Sequence, residues 1–208
     1  ENTLCEVLNY LLTYLVRVTA CELTKNLSKF MKTMYDRVID GNYDNYYEKF
    51  VIFLNDLKAS NRMPTDKEFK DALIYKPLYK KPISKFVLSV IENSTKEHID
   101  ISNLTIEHIL PQKENSAVWK REIGENYNRV YEVYLHTLGN LTFTGYNREL
   151  GAKPFSEKKK IIQDNSKANI LNKEVLNADK WNEKSILNRA NILANILINE
   201  FEYAELHS

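Results

Sequence analysis

Glu107, His108, Asn140 and Asn147 are of types that suit hydrolysis of a phosphodiester. That reaction needs a base to activate water, a hard cation to neutralise charge on the phosphate and the leaving oxygen, and something to hold the two together. His108 ordinarily titrates near neutrality, at about 6.5, and can take a proton from water without further tuning. Glu107 and Asn147 offer oxygens, which suit Mg²⁺, an ion that keeps several waters and needs only one or two protein oxygens beside a substrate phosphate. Asn140 has an amide able to tie two strands together. Glu107 and His108 are neighbours, and neighbours on a regular strand point to opposite faces. A strand carrying both must therefore bend or end there, and Pro111, which cannot continue a paired strand, accounts for an ending.

The most basic stretch follows this set. Arg148, Lys153, Lys158, Lys159 and Lys160 could grip backbone phosphates, each contact adding salt-dependent affinity. The alternative for them is a solvated helix face. His136 could contact phosphate or serve packing and hydrogen bonding. His98 and His207 lie in polar segments and carry no chemical case, and Trp119, Trp181 and the many tyrosines read most simply as core.

The elements that must position these groups are mostly helices. Leu4, Leu8, Leu11, Leu15 and Val18 recur at helical spacing and predict a first helix with that stripe in the core. A second is expected from Leu23 to Ile39, with Gly41 where a left-handed cap would fall, and a third from Tyr43 to Leu57. Thr65 and Glu68 form a capping-box pattern for a short helix through Phe69, Leu73 and Ile74. After Pro82, the run ISKFVLSVIEN predicts a helix ending near Asn93. Residues 1–93 thus read as an all-helical unit, 94–103 as a polar linker and 104–208 as a second domain. In that domain LTIEHIL predicts a strand, and LGNLTF a second short strand after a tight turn at Gly139. Helices are expected over Ser116 to Glu125, Tyr127 to Leu135 and Phe155 to Gln163, and a long final helix capped by Asn182.

Composition sets the outer limits. A chain of 208 residues with 43% apolar content can bury a core. The net charge of +1, from 29 basic against 28 acidic residues, gives no global basic field, so binding to nucleic acid must come from local patches. Cys5 and Cys21 form no CxxC pair, which argues against a disulfide framework or a zinc ribbon and fits a reducing, cytoplasmic setting. The N-terminal apolar stretch is too short to span a bilayer and lacks the features of a signal peptide. Opening at Glu1 without Met, almost directly in a helical pattern, the chain reads as a piece of a longer protein.

The ordered set Ile106-Glu107-His108-Ile109-Leu110-Pro111-Gln112, Leu138-Gly139-Asn140-Leu141-Thr142, Asn147 and Pro154-Phe155 with Lys158 to Lys160 resembles the C-terminal nuclease domain of GmrSD-type restriction endonucleases. These are modification-dependent, type IV enzymes related to HNH, or His-Me finger, nucleases. The resemblance extends over about residues 80 to 200, from KFVLSVIE to the Trp181, Ile186, Arg189 pattern. It implies a mainly α fold with a small ββα-metal core embedded in helices. His108 would be the general base, Glu107 and Asn147 the ligands of Mg²⁺ or Mn²⁺, and Asn140 a catalytic-site residue that positions the loop and the histidine. It further implies a bacterial cytoplasmic enzyme that cuts DNA to 5′-phosphate and 3′-hydroxyl ends in defence against phage with modified bases. A nucleotide-binding and sensing module, N-terminal in the family, is not represented in these residues. Glu in place of the usual Asp lengthens the reach to the ion, and Asn in place of the last His weakens soft-metal binding, so zinc is not expected. The rival reading, favoured by the neutral charge, is a non-catalytic helical interaction or DNA-docking module with a decayed nuclease site.

Overall fold

A computed structural model of the chain describes residues 2–23, 27–39, 45–95 and 98–204, with the backbone alone at Leu27 and Asn147. The fold is mainly helical, and its β component among the described residues is one two-stranded antiparallel sheet. The described residues up to Phe69, together with 201–204, form one compact unit, and those of Lys70–Glu200 form another.

In the first unit, helix α1 (Asn2–Ala20) packs against α3 (Tyr46–Asn55), with α2 (Leu27–Met34) and a turn of π-helix over Tyr35–Ile39 between them in sequence. Gly41 and Tyr43, expected to end one helix and begin the next, lie outside the described residues; Asn45 caps α3 by accepting the Glu48 amide. The expected stripe of α1 is met only toward its C-terminal end, where Leu11 and Leu15 are half-buried and Val18 is buried. Leu4 and Leu8 are 63% and 52% exposed, whereas Tyr10, Tyr14 and Val18 pack with Phe30, Phe50, Phe53 and Leu54. The i, i+4 row that meets the aromatic face of α3 wins because rings bury more apolar area than leucines do. Arg17 is buried beside it, its Nε donating to the Phe201 carbonyl and its Nη1 to that of Pro64.

The Thr65–Glu68 capping box is formed, with the Glu68 amide donating to Thr65 Oγ1 and the Thr65 amide to Glu68 Oε2, and it opens α4 (Asp66–Tyr75). Helix α5 (Ser84–Glu92) ends at Asn93 as expected. It is not part of an N-terminal domain that closes at residue 93. It packs on α10 (Asn169–Asn177) and α11 (Glu183–Glu200), and its buried Glu92 accepts the amides of Asn169, Ile170 and Leu171. The structure therefore groups residues 70–93 with the later part of the chain.

Strand β1 (Thr105–His108) pairs with β2 (Leu141–Thr144), so that Glu107 lies opposite Thr142 and His108 opposite Leu141. Between them run α6 (Ala117–Ile123) and α7 (Tyr127–Tyr134), and after them α8 (Asn147–Leu150) and α9 (Phe155–Asn165). The two strands and the helical segments that follow make a small ββα-like core. Around it Ile109, Leu110, Trp119, Val130, Phe155, Ile162, Trp181 and Ile186 are buried together. Helix α11 packs directly on the turn Leu138–Asn140. At Gly139 a Cβ would stand 2.4 Å from the Ile186 carbonyl oxygen, so only glycine allows that approach. Asn182 caps α11 through its Oδ1, which accepts the Ser185 amide.

Candidate active site

Strand β1 ends at His108, which resolves the difficulty of two adjacent residues serving one centre. Asn140 fixes that ending. Its backbone carbonyl accepts the Ile109 amide at 3.0 Å. Its side-chain Oδ1 accepts from the Leu110 amide at 2.7 Å and from Trp181 Nε1 at 3.1 Å, while Nδ2 donates to the carbonyls of Leu110 and Leu135. A fully buried amide is stable only when so satisfied. Asn140 is thus a clamp on the chain just past the strand, and Trp181 supports it through its indole N–H as well as by packing.

Glu107 and His108 leave the strand in different directions, yet both line one cleft of about 350 Å³ with Pro111, Gln112, Lys113, Gly151 and Ala152. The Glu107 carboxylate is 15% exposed and receives Lys158 Nζ at 3.2 Å on Oε1, and the same ammonium donates to the His108 carbonyl at 2.7 Å. Burial raises the Glu107 pKa, an effect opposed by Lys158, and burial lowers that of Lys158, opposed in turn by Glu107. The Lys158 ammonium therefore opposes, without cancelling, the tendency of burial to favour the neutral form of Glu107.

Lys158 does not belong to an exposed basic face. It is fully buried on the side of α9 that also carries Phe155 and Ile162. The spacing 155, 158, 162 already marks one helix face, a signal masked by the three consecutive lysines. Lys159 is half-buried and donates to the Ala178 carbonyl, and Lys153 pairs with Glu157. Arg148 and Lys160 are exposed. Asn147 opens α8, whose end leads to Gly151 and Ala152 of the cleft; its side chain lies outside what the structure describes. Thr142 is buried, its hydroxyl donating to Asn172 Oδ1.

The His108 ring is 1% exposed. Its Nε2 lies 3.1 Å from Nδ1 of His136, and Tyr79 packs edge-on against it with ring centroids 4.5 Å apart. Its own Nδ1 has no hydrogen-bond partner among the described residues. Burial, reinforced by the neighbouring His136 and Lys158, lowers the imidazole pKa to about 3, so the ring is neutral and keeps a lone pair across the physiological range. His136 and Tyr79 were not legible as partners of His108, because nothing local in sequence joins positions 79, 108 and 136.

A histidine held neutral makes stability depend on pH. The unfolded ring binds a proton near pH 6.5 and the folded ring only near 3, so the folded state binds fewer protons between those values. Stability is full above pH 6.5 and falls as the pH drops, with a limiting slope from this group of about 1.4 kcal/mol per pH unit. Urea unfolding at pH 7, 6 and 5 should show a shallower loss in His108→Gln than in the unaltered chain; equal slopes would mean that the ring is already charged when folded.

The donor set in the cleft suits a hard divalent cation. Glu107 is the one carboxylate lining it, and among the described residues no group of three or more His, Cys, Asp or Glu could hold a metal ion. A cation there would depend on that carboxylate with water and phosphate oxygens, which is the sparse ligation Mg²⁺ accepts.

No curated protein and no solved structure matches the chain. A family model does: residues 63–196, well over half of the chain, match the GmrSD restriction endonuclease C-terminal domain. The matched span contains Glu107, His108, Asn140, Asn147, Lys158 and Trp181, and the chain belongs to that family of restriction endonuclease domains.

Proposed function

We propose that this domain is a metal-dependent DNA endonuclease of the HNH, or His-Me finger, type. The observation that carries the reading is that a carboxylate and a neutral imidazole, the last two residues of one strand, line the same cleft while Asn140 and Lys158 lock the backbone beneath them. Glu107 and Asn147 would hold a Mg²⁺ or Mn²⁺ ion, which supplies charge neutralisation at the phosphate and the departing oxygen. His108 accepts the proton of a water as its oxygen bonds to phosphorus, and the bond from phosphorus to the 3′ oxygen breaks, that oxygen taking its proton from solvent water. The products are a 5′-phosphate and a 3′-hydroxyl. Lys158 favours the ionised form of Glu107 and fixes its direction, and the exposed Arg148, Lys153 and Lys160 would meet backbone phosphates. In the organism we assign the domain to restriction of phage DNA with modified bases in a bacterial cytoplasm, working with an N-terminal nucleotide-binding and sensing module. No helix among the described residues is long and apolar enough to cross a membrane.

Supercoiled plasmid incubated with the purified chain and Mg²⁺ or Mn²⁺ should be nicked, and EDTA or Glu107→Ala should prevent it. Plasmid left intact with both metals, together with metal-independent DNA binding in a gel shift, would replace this reading by the docking module that the near-neutral charge favours. Preference for RNA over DNA would redirect the substrate and keep the chemistry.

A further inference from the structure

His136 has no part in the reading above, yet it makes the one side-chain hydrogen bond that His108 has among the described residues. A neutral imidazole carries a single N–H, so in the pair His108 Nε2 and His136 Nδ1 one nitrogen donates and the other accepts. If His136 donated, the N–H of His108 would sit on Nδ1, where no described residue offers an acceptor and the residue is 1% exposed. A buried donor left in that way bears its whole desolvation penalty. If His108 donates, the unpartnered atom is instead a lone pair, which is what a base presents to water. On the other side of the pair, His136 is half-buried, so its remaining N–H can be met by solvent.

His136 is itself held firmly. Its carbonyl accepts the amides of Leu78 and Tyr79 at 2.8 and 3.1 Å, and its ring stacks on Tyr79 with an interplanar angle of 10°. Tyr79 thus touches both imidazoles, flat against one and edge-on to the other. Burial and the Lys80 ammonium nearby lower the His136 pKa, which keeps Nδ1 available as an acceptor at neutral pH.

We infer that His136 is a positioning residue for His108: it takes the Nε2–H of His108 on its own Nδ1, fixing the tautomer in which the unpartnered Nδ1 of His108 carries the proton-accepting lone pair. The consequence for cleavage rests on the nuclease reading, whereas the tautomer does not. In the full chain labelled with ¹⁵N-histidine, two-bond ¹H–¹⁵N spectra at neutral pH should show His108, assigned by its loss in His108→Gln, protonated at Nε2. His136→Asn keeps an acceptor close to the Nδ1 position, and should retain that tautomer and cleave within a few-fold of the original. His136→Phe keeps a ring to stack on Tyr79 and removes the acceptor. It should give a mixed tautomer and lower kcat by about ten- to a hundredfold with KM unchanged, the size expected for a group that orients a catalytic residue. A His108 protonated at Nδ1 in the unaltered chain, or His136→Phe matching it in both tautomer and kcat, overturns the inference. If no protein cuts DNA, the spectra alone decide: an Nε2–H tautomer lost only in His136→Phe upholds it while the nuclease reading fails.

Discussion

His108→Ala is expected to reduce plasmid cleavage by about 10²- to 10⁴-fold, the range supplied by a positioned proton acceptor. Two opposing considerations set that size. A ring whose pKa lies at about 3 is a weak base, which pulls the contribution toward the lower end. Against that, its neutral form is fully populated at pH 7, and the buried site lets an approaching phosphate raise the pKa as the reaction proceeds. Removing the ring also leaves a gap beside Tyr79 and His136, so part of any loss could be structural. His108→Gln separates the two effects, because it fills most of the space and cannot act as the base. Both variants should be nearly inactive when assayed well below their melting temperatures, while His108→Gln retains the circular dichroism of the parent. Cleavage within threefold of the parent by a folded His108→Gln would remove this residue from the chemistry.

The site was legible in part, and the division has a physical basis. Glu107, His108 and Asn140 declare themselves because their types are rare in combination, and the structure does bring the first two to one cleft and sets the third behind them. Lys158 reads from sequence as a phosphate grip or part of a solvated helix face, and its burial fits neither: charge is a stronger signal in a lysine run than helical phase, although its phase with Phe155 and Ile162 points inward. His136 and Tyr79 could not be assigned, since their meeting with His108 depends on how three separated segments pack.

The same holds for the fold. Helices with their own caps, such as α4 with Thr65 and Glu68, could be read locally. Helix α10 could not, because Ala168 at its cap position has no side chain to offer and the missing acceptor is Glu92, supplied from α5. That contact is also why a boundary at residue 93 does not hold: the polar stretch after Asn93 looks like a linker, but the helix before it is already committed to the later unit.

Arg189→Met is expected to destabilise the Lys70–Glu200 unit by more than about 4 kcal/mol, enough to unfold a domain of ordinary marginal stability. The guanidinium is fully buried on α11 and donates to the backbone carbonyls of Leu171, Leu138, Gly139 and Leu141, at distances of 2.7 to 3.2 Å. Its pKa is pushed down to about 9 by burial, so it remains a cation at neutral pH. Replacing a buried ion pair by apolar residues can be neutral or better, because both charges vanish together. Here that compensation is closed, since the acceptors are main-chain carbonyls that no substitution removes, each costing about 1–3 kcal/mol when left bare. Arg189→Lys should recover only part of the loss, a single ammonium being unable to span acceptors arranged for a planar fork. Three of those carbonyls belong to residues flanking Asn140, the clamp behind His108, so cleavage should disappear in parallel with the fold. Urea denaturation of both variants measures this, and a midpoint for Arg189→Met equivalent to less than about 1 kcal/mol of loss would show that the turn carrying Asn140 is held by helix packing alone.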